Sequence, residues 1–149
     1  MNLNQIVLFS IKVLTVIMYG YTYLKYKSAK GLDPTLKFVL KGRSMIEFYL
    51  MLVVNVLFMF TSHKAETAGF YVFVGAVLFL ITYIHLERIL AVGRKVLFTR
   101  MLAFDIRQIK KRTYQRGKFT FYIQNGKVDV RLPVADMTVV MQMLSGRRR

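Results

Sequence analysis

The sequence predicts a membrane α protein with a small α+β appendage: three transmembrane helices followed by a small antiparallel β-sheet with a C-terminal helix. Three observations lead there. Hydrophobic residues make up 55% of the 149 positions although the formal net charge is +16, which is tenable only if apolar and charged residues occupy different segments. The apolar residues gather in three runs, at 4–24, 45–61 and 69–92. Each run is close to the about 17–25 residues that carry a helix across a hydrocarbon core of about 30 Å. Beyond Gly93, continuous hydrophobicity gives way to alternation, the period of a half-buried strand. The chain thus divides into a transmembrane region over 1–92, with a cytoplasmic loop at 25–44, and a basic domain over 93–149.

A removable signal peptide fits the first run poorly: no basic residue precedes it, Lys12 interrupts it, and no small-residue cleavage site follows. Orientation follows from the basic residues, which stay in the cytoplasm when they flank a span. Of 23 lysines and arginines, all but Lys12 and Lys64 fall in the first loop or from Arg88 onward. The expected topology is a multi-pass protein of the bacterial plasma membrane, N-terminus outside and C-terminus cytoplasmic. Tyr19, Tyr21, Tyr23 and Tyr26 gather where the first span leaves the membrane, as amphipathic rings do at an interface.

Five polar residues within the spans are candidates for a role. Lys12 lies about 12 Å along a helix beginning near Asn4, at about 1.5 Å per residue, which places it close to the midplane. Asn55 has a similar depth, while Glu47, His85 and Glu87 lie toward the cytoplasmic ends of their helices. One reading is a polar seam lining a substrate or proton path. The other is a lysine that hydrogen-bonds Asn55 or snorkels outward along the bundle surface. His85 with Glu87 and Arg88 lacks the spacing of a helical metal motif and reads as an interfacial ion pair.

In the first loop, Asp33, Pro34 and Gly42 stand where an N-cap, a first-turn proline and a terminal glycine would bound a two-turn helix. Leu36, Val39 and Leu40 would share one side of it, and Lys37 and Lys41 another, lying flat among anionic headgroups. An ordinary structured loop is the alternative, because so short a helix is marginal.

In the C-terminal domain, Asn125-Gly126 reads as a two-residue hairpin turn between Phe119–Gln124 and Lys127–Leu132. Ile123 then faces Val128, Phe121 faces Val130, and Phe119 faces Leu132, with Thr120, Tyr122, Lys127, Asp129 and Arg131 on the other face. Lys95–Arg100 and Ala103–Thr113 supply two further strands. Asp136 caps a helix whose Met137, Val140, Met141 and Leu144 recur at helical spacing and cover the sheet.

The three-span layout, Pro34-Thr35-Leu36 with the later Lys41-Gly42-Arg43, and the run from Val96 through Phe104-Asp105-Ile106 and Ile109-Lys110 to the hairpin resemble the YobD-like family of bacterial inner-membrane proteins. The strand order of the second half also looks like the latter part of a bacterial pleckstrin-homology-like domain. The resemblance implies a multi-pass plasma-membrane protein without an assigned activity, and an association with mannose-type sugar phosphotransferase permeases. Lys12 and the tail Arg147-Arg148-Arg149 depart from the family pattern.

The expected function is non-enzymatic: a membrane-anchored basic domain that contacts anionic inner-leaflet lipid or a membrane partner through Lys37, Lys41, Arg43, Lys110, Lys111, Arg112, Arg116 and Lys118. The alternatives are an accessory subunit of a transport complex, such as a sugar phosphotransferase permease, or a small transporter working through Lys12 and Asn55. No phosphate loop, histidine pair or serine elbow suggests catalysis, and no cofactor or metal is expected. Nucleic acid is disfavoured as a partner, since a basic stripe held beside a bilayer already faces an anionic surface. With no cysteine, the chain has neither disulfides nor a thiolate nucleophile.

Overall fold

The computed structural model describes residues 3–40, 42–61, 64, 67–124 and 126–145. Lys41, Asn125 and the tail Arg147 to Arg149 lie outside the described residues. Among the described residues, three helices are long and apolar enough to cross a membrane: α1 (Leu3–Leu32), α2 (Gly42–Phe60) and α3 (Ala68–Arg88). Their unburied apolar side chains point outward, with Phe60 86% and Phe73 69% exposed, an arrangement that suits an apolar solvent.

α1 runs eight residues past the span expected to end at Leu24. Its 30 residues reach about 45 Å at about 1.5 Å each, longer than the about 30 Å that a hydrocarbon core requires. Its last turns stay helical because Ala29, 1% exposed, packs with Leu36, Ala91, Val96 and Phe98. α3 is shorter than the run that suggested it. It ends at Arg88, and Ile89 is already extended, with ψ of 138°. Leu90–Val92, expected to complete the span, instead form a strand buried on both faces, which hydropathy alone does not distinguish from a transmembrane turn.

α1 and α3 pack in parallel, since Gly69 lies beside Asn4 and Gly75 beside Ile11. Their buried positions recur every seven residues, at Leu8, Thr15, Thr22 and Ala29 on one helix and Ala68, Gly75 and Thr82 on the other. A strict heptad of small and β-branched residues lets two membrane helices wind closely together. α2 leans on this pair and buries only Asn55 and Phe58.

Among the described residues, seven strands form two antiparallel sheets. The first has the order β1-β2-β3-β4, with β1 at Lys37–Phe38, β2 at Leu90–Val92, β3 at Val96–Thr99 and β4 at Leu102–Asp105. The second has the order β5-β6-β7, from Lys111–Gln115, Lys118–Ile123 and Gly126–Arg131. One core joins them: Leu90, Val92 and Leu97 from the first sheet meet Phe119, Phe121 and Val130 from the second, and α4 (Met137–Ser145) closes it with Met137, Val140 and Leu144. Asp136 caps α4 as expected, accepting from the Thr138 N–H at 3.0 Å.

Three expectations are corrected. The expected two-turn helix between Asp33 and Gly42 is absent among the described residues: Asp33 to Thr35 turn, and Lys37–Phe38 join the first sheet as β1, so that sheet draws on both sides of the division at residue 92. The Asp33 side chain caps a turn that the Leu36 N–H closes on the Asp33 carbonyl at 3.0 Å, after which Lys37 and Phe38 pair with Val92 and Ala91 of β2 and no helix continues. Ala103–Thr113 is two strands in different sheets, separated by a 3-10 turn at Ile106–Gln108. The β6–β7 register is also displaced by two residues: Ile123 pairs with Gly126, Phe121 with Val128 and Phe119 with Val130. A two-residue slip keeps every side chain on its own face, so alternation is blind to it. Part of what selects the observed register is Asp129, which now lies opposite Thr120 and accepts its hydroxyl at 2.8 Å.

The domain is fastened to the helix ends through Asp33. Its carboxylate accepts from the Thr35 N–H and hydroxyl and from the N–H groups of Lys95 and Val96 in the β2–β3 turn. The Thr35 hydroxyl accepts from the Arg94 N–H at 2.8 Å. Gly93 permits this approach, because a Cβ there would overlap the Asp33 carboxyl. On the far side of the domain, the Val134 N–H donates to the Arg88 carbonyl at 2.8 Å and the Asp136 N–H to that of Val39 at 2.7 Å.

Candidate basic and intramembrane polar sites

The basic residues singled out in the sequence do not form one patch. β5 is an edge strand, and its successive side chains point to opposite faces. Arg112 and Tyr114 pair with Phe121 and Phe119 and share their face, whereas Lys111 shares the outer face with Tyr122. Lys110, Lys111 and Arg112, with Tyr114, meet Met137 and Met141 of α4 around a cleft of about 650 Å³ that no acidic residue lines. This is the strongest concentration of the predicted cations.

The others stand apart. Arg116 occupies the left-handed turn between β5 and β6, with φ of 49° beside Gly117 at 73°, the mirror-image turn that suits a tight hairpin. Lys118 is held by Asp129 at 2.9 Å, with Lys127 3.7 Å from the same carboxylate. The Lys118 hydrogen bond is the main reason that Asp129 sits below the usual carboxylate range. Lys37 is on β1 and exposed, and Arg43, on the first turn of α2, lies 3.8 Å from Glu47.

The intramembrane residues make different contacts from those expected. The Lys12 ammonium does not bond Asn55 and reaches the end of α2 instead. It donates to the carbonyls of Met59 at 3.2 Å and Thr61 at 2.8 Å and lies 5.3 Å from the Phe58 ring centre. Lys12 therefore satisfies carbonyls that the end of α2 leaves without a helical partner, where the helix dipole also favours a cation. Its long stem carries the charge toward the end of the bundle, the snorkelling behaviour of membrane lysines.

Asn55 instead ties the bundle together. Its side-chain amide donates to Thr82 at 3.0 Å, to the Met51 carbonyl at 2.8 Å and to the Tyr19 hydroxyl at 3.4 Å, linking all three helices. Asn55 and Thr82 are 4% and 0% exposed, so these hydrogen bonds form a buried knot between the helices. Thr82 is not among the residues singled out in the sequence, and Tyr19 reads there only as an interfacial ring; the signal for Thr82 was its place in the heptad of small residues.

The expected ion pair of His85 with Glu87 and Arg88 does not form. Helical geometry turns neighbours i and i+2 to different sides. His85 is buried with its ring stacked on Phe48, and its Nε2 has no hydrogen-bond partner among the described residues. Glu87 accepts from the Tyr83 hydroxyl at 3.0 Å and from Arg100 at 3.3 Å, and Arg88 lies 3.9 Å from Glu47. Arg88 also donates through Nε to the Leu132 carbonyl at 2.6 Å, so these charges join α2, α3 and both sheets.

Among the described residues, no three histidines, aspartates or glutamates gather as metal ligands would. No protein-family model, curated protein or solved structure matches the chain.

Proposed function

We propose that the chain is a non-enzymatic, multi-pass protein of the bacterial plasma membrane, N-terminus outside, whose basic domain lies against the anionic lipid of the inner leaflet. The observation that carries this reading is the concentration of positive charge at one end of the three apolar helices, on a domain bound to that end by Asp33, Arg88 and Asp136. So fastened, the Lys110 to Arg112 segment stays near the membrane surface, where each basic residue gains about 1 kcal/mol from anionic headgroups.

The test is a probe on a single cysteine, Tyr114→Cys, in a chain that has no other cysteine. In nanodiscs containing phosphatidylglycerol, lipids spin-labelled at the headgroup should quench the probe, and added salt or neutral lipid should relieve the quenching, because the attraction is screened. Equal quenching in neutral and anionic discs would overturn the reading.

A second reading, an accessory subunit packed against a larger transport protein such as a sugar phosphotransferase permease, is favoured by α2. That helix buries only Asn55 and Phe58 and leaves Ile46, Tyr49, Leu50, Leu57 and Phe60 exposed along its length. Copurification of a stoichiometric permease in mild detergent would support it, and a monodisperse lone protein would count against it.

A further inference from the structure

A second cationic site lies where α3 enters the sheet domain, and it shares no residue with the Lys110 to Arg112 cleft. A cleft of about 440 Å³ is lined by Ile84, Glu87 and Arg88 of α3, Arg100 of the β3–β4 turn, and Asp129, Arg131 and Leu132 of β7 and its exit. Both of its carboxylates are already engaged: Glu87 by Tyr83 and Arg100, Asp129 by Thr120, Lys118 and Lys127. Arg88 is fixed by the Leu132 carbonyl, and Leu132 has the left-handed φ of 45° that turns the chain there. Arg131 is different. It is exposed, and its guanidinium has no hydrogen bond or ion pair among the described residues.

Arg100 is matched by Glu87 and Arg88 lies 3.9 Å from Glu47, so Arg131 is the guanidinium in the cleft that has no carboxylate partner among the described residues. Guanidinium groups match the paired oxygens of a phosphate in a bidentate fork, which a lysine ammonium cannot reproduce. The position of the cleft decides whose phosphate this is. Ile84, 51% exposed, belongs to an outward-facing apolar row with Leu80 and Ile81, and Arg88 is the last residue of the span. The cleft therefore straddles the change from hydrocarbon to water, the level of the glycerophosphate group in a bilayer.

We propose that this cleft binds the phosphodiester of an anionic phospholipid, its acyl chains running along α3 past Ile84 and its headgroup held by Arg131 beside Arg100 and Arg88. The proposal rests on the membrane placement given above, but it names a lipid site that is independent of Lys110, Lys111 and Arg112.

The test is native mass spectrometry of the full chain after detergent exchange, with added phosphatidylglycerol, phosphatidylcholine or glycerol 3-phosphate. The wild type and a variant combining Lys110→Gln, Lys111→Gln and Arg112→Gln should retain phosphatidylglycerol. Arg131→Gln should weaken retention about tenfold, the size of one lost charge-assisted contact, and Arg131→Lys should recover only part of it. Equal retention by Arg131→Gln, equal binding of phosphatidylcholine, or displacement of the lipid by glycerol 3-phosphate at similar concentration would each overturn the proposal, the last by making the site one for a soluble phosphate. Loss of Tyr114→Cys quenching with Arg131-dependent retention intact would defeat only the reading of the basic domain. The reverse pattern would defeat only this site.

Discussion

At the scale of single residues, Asp33 joins the helices to the sheets. Burial alone would raise its carboxyl, but hydrogen bonds from the Lys95 N–H, the Thr35 hydroxyl and the Val96 and Thr35 N–H groups outweigh that and hold it down to about 2. A carboxylate depressed in the folded state contributes stability above its unfolded pKa of about 3.9, and that contribution is lost as pH falls toward the folded value. The expected outcome is that Asp33→Asn lowers the thermal midpoint at pH 6 and that the deficit shrinks between about pH 4 and pH 2, where the wild type loses the same charge. Circular dichroism melts of both proteins in detergent across that range check it, and a deficit that stays constant with pH would refute it. Arg131 matters at this scale for the opposite reason: it is a charge without a partner among the described residues.

At the scale of elements, the α1–α3 pair depends on small side chains where the helices cross. A Cβ on Gly75 would stand 3.0 Å from the Phe58 ring and 3.4 Å from Ile11, so the site has room for almost nothing more. Gly75→Leu should destabilise the bundle by about 1–3 kcal/mol through overpacking, displacing Phe58 and with it α2. Asn55→Leu should cost about 0.6–1.7 kcal/mol, the range for hydrogen bonds between membrane helices. Thermal unfolding in a fixed detergent would show both losses, and a Gly75→Leu protein as stable as the wild type would rule out the close crossing. The β6–β7 hairpin shows the same dependence on its surroundings. Its faces follow from alternation, but the pairing of Phe121 with Val128 is set jointly with Asp129, which reaches Thr120 and Lys118 in that register.

At the scale of the whole molecule, the partition of charge makes the topology testable. Single cysteines introduced at Thr61 and at Gln115 should react with a membrane-impermeant maleimide from opposite sides, Thr61 in intact cells and Gln115 only after the membrane is opened. Labelling of both in intact cells would overturn the orientation and the functional readings built on it. The sequence alone determined that three helices are long and apolar enough to cross a bilayer, that positive charge gathers toward one end of them, and that a hairpin and a capped helix close the appended domain. These properties are local: lipid imposes a long apolar run on each span, and pleating imposes a period of two on each strand. Tertiary structure alone decided that Lys37–Phe38 complete the first sheet, that Lys12 reaches the end of α2 while Asn55 ties three helices, and that Arg88, Arg100 and Arg131 line one cleft. Each of these brings together residues far apart in the chain. Their contacts depend on how helices and sheets pack, and no period along the sequence records that.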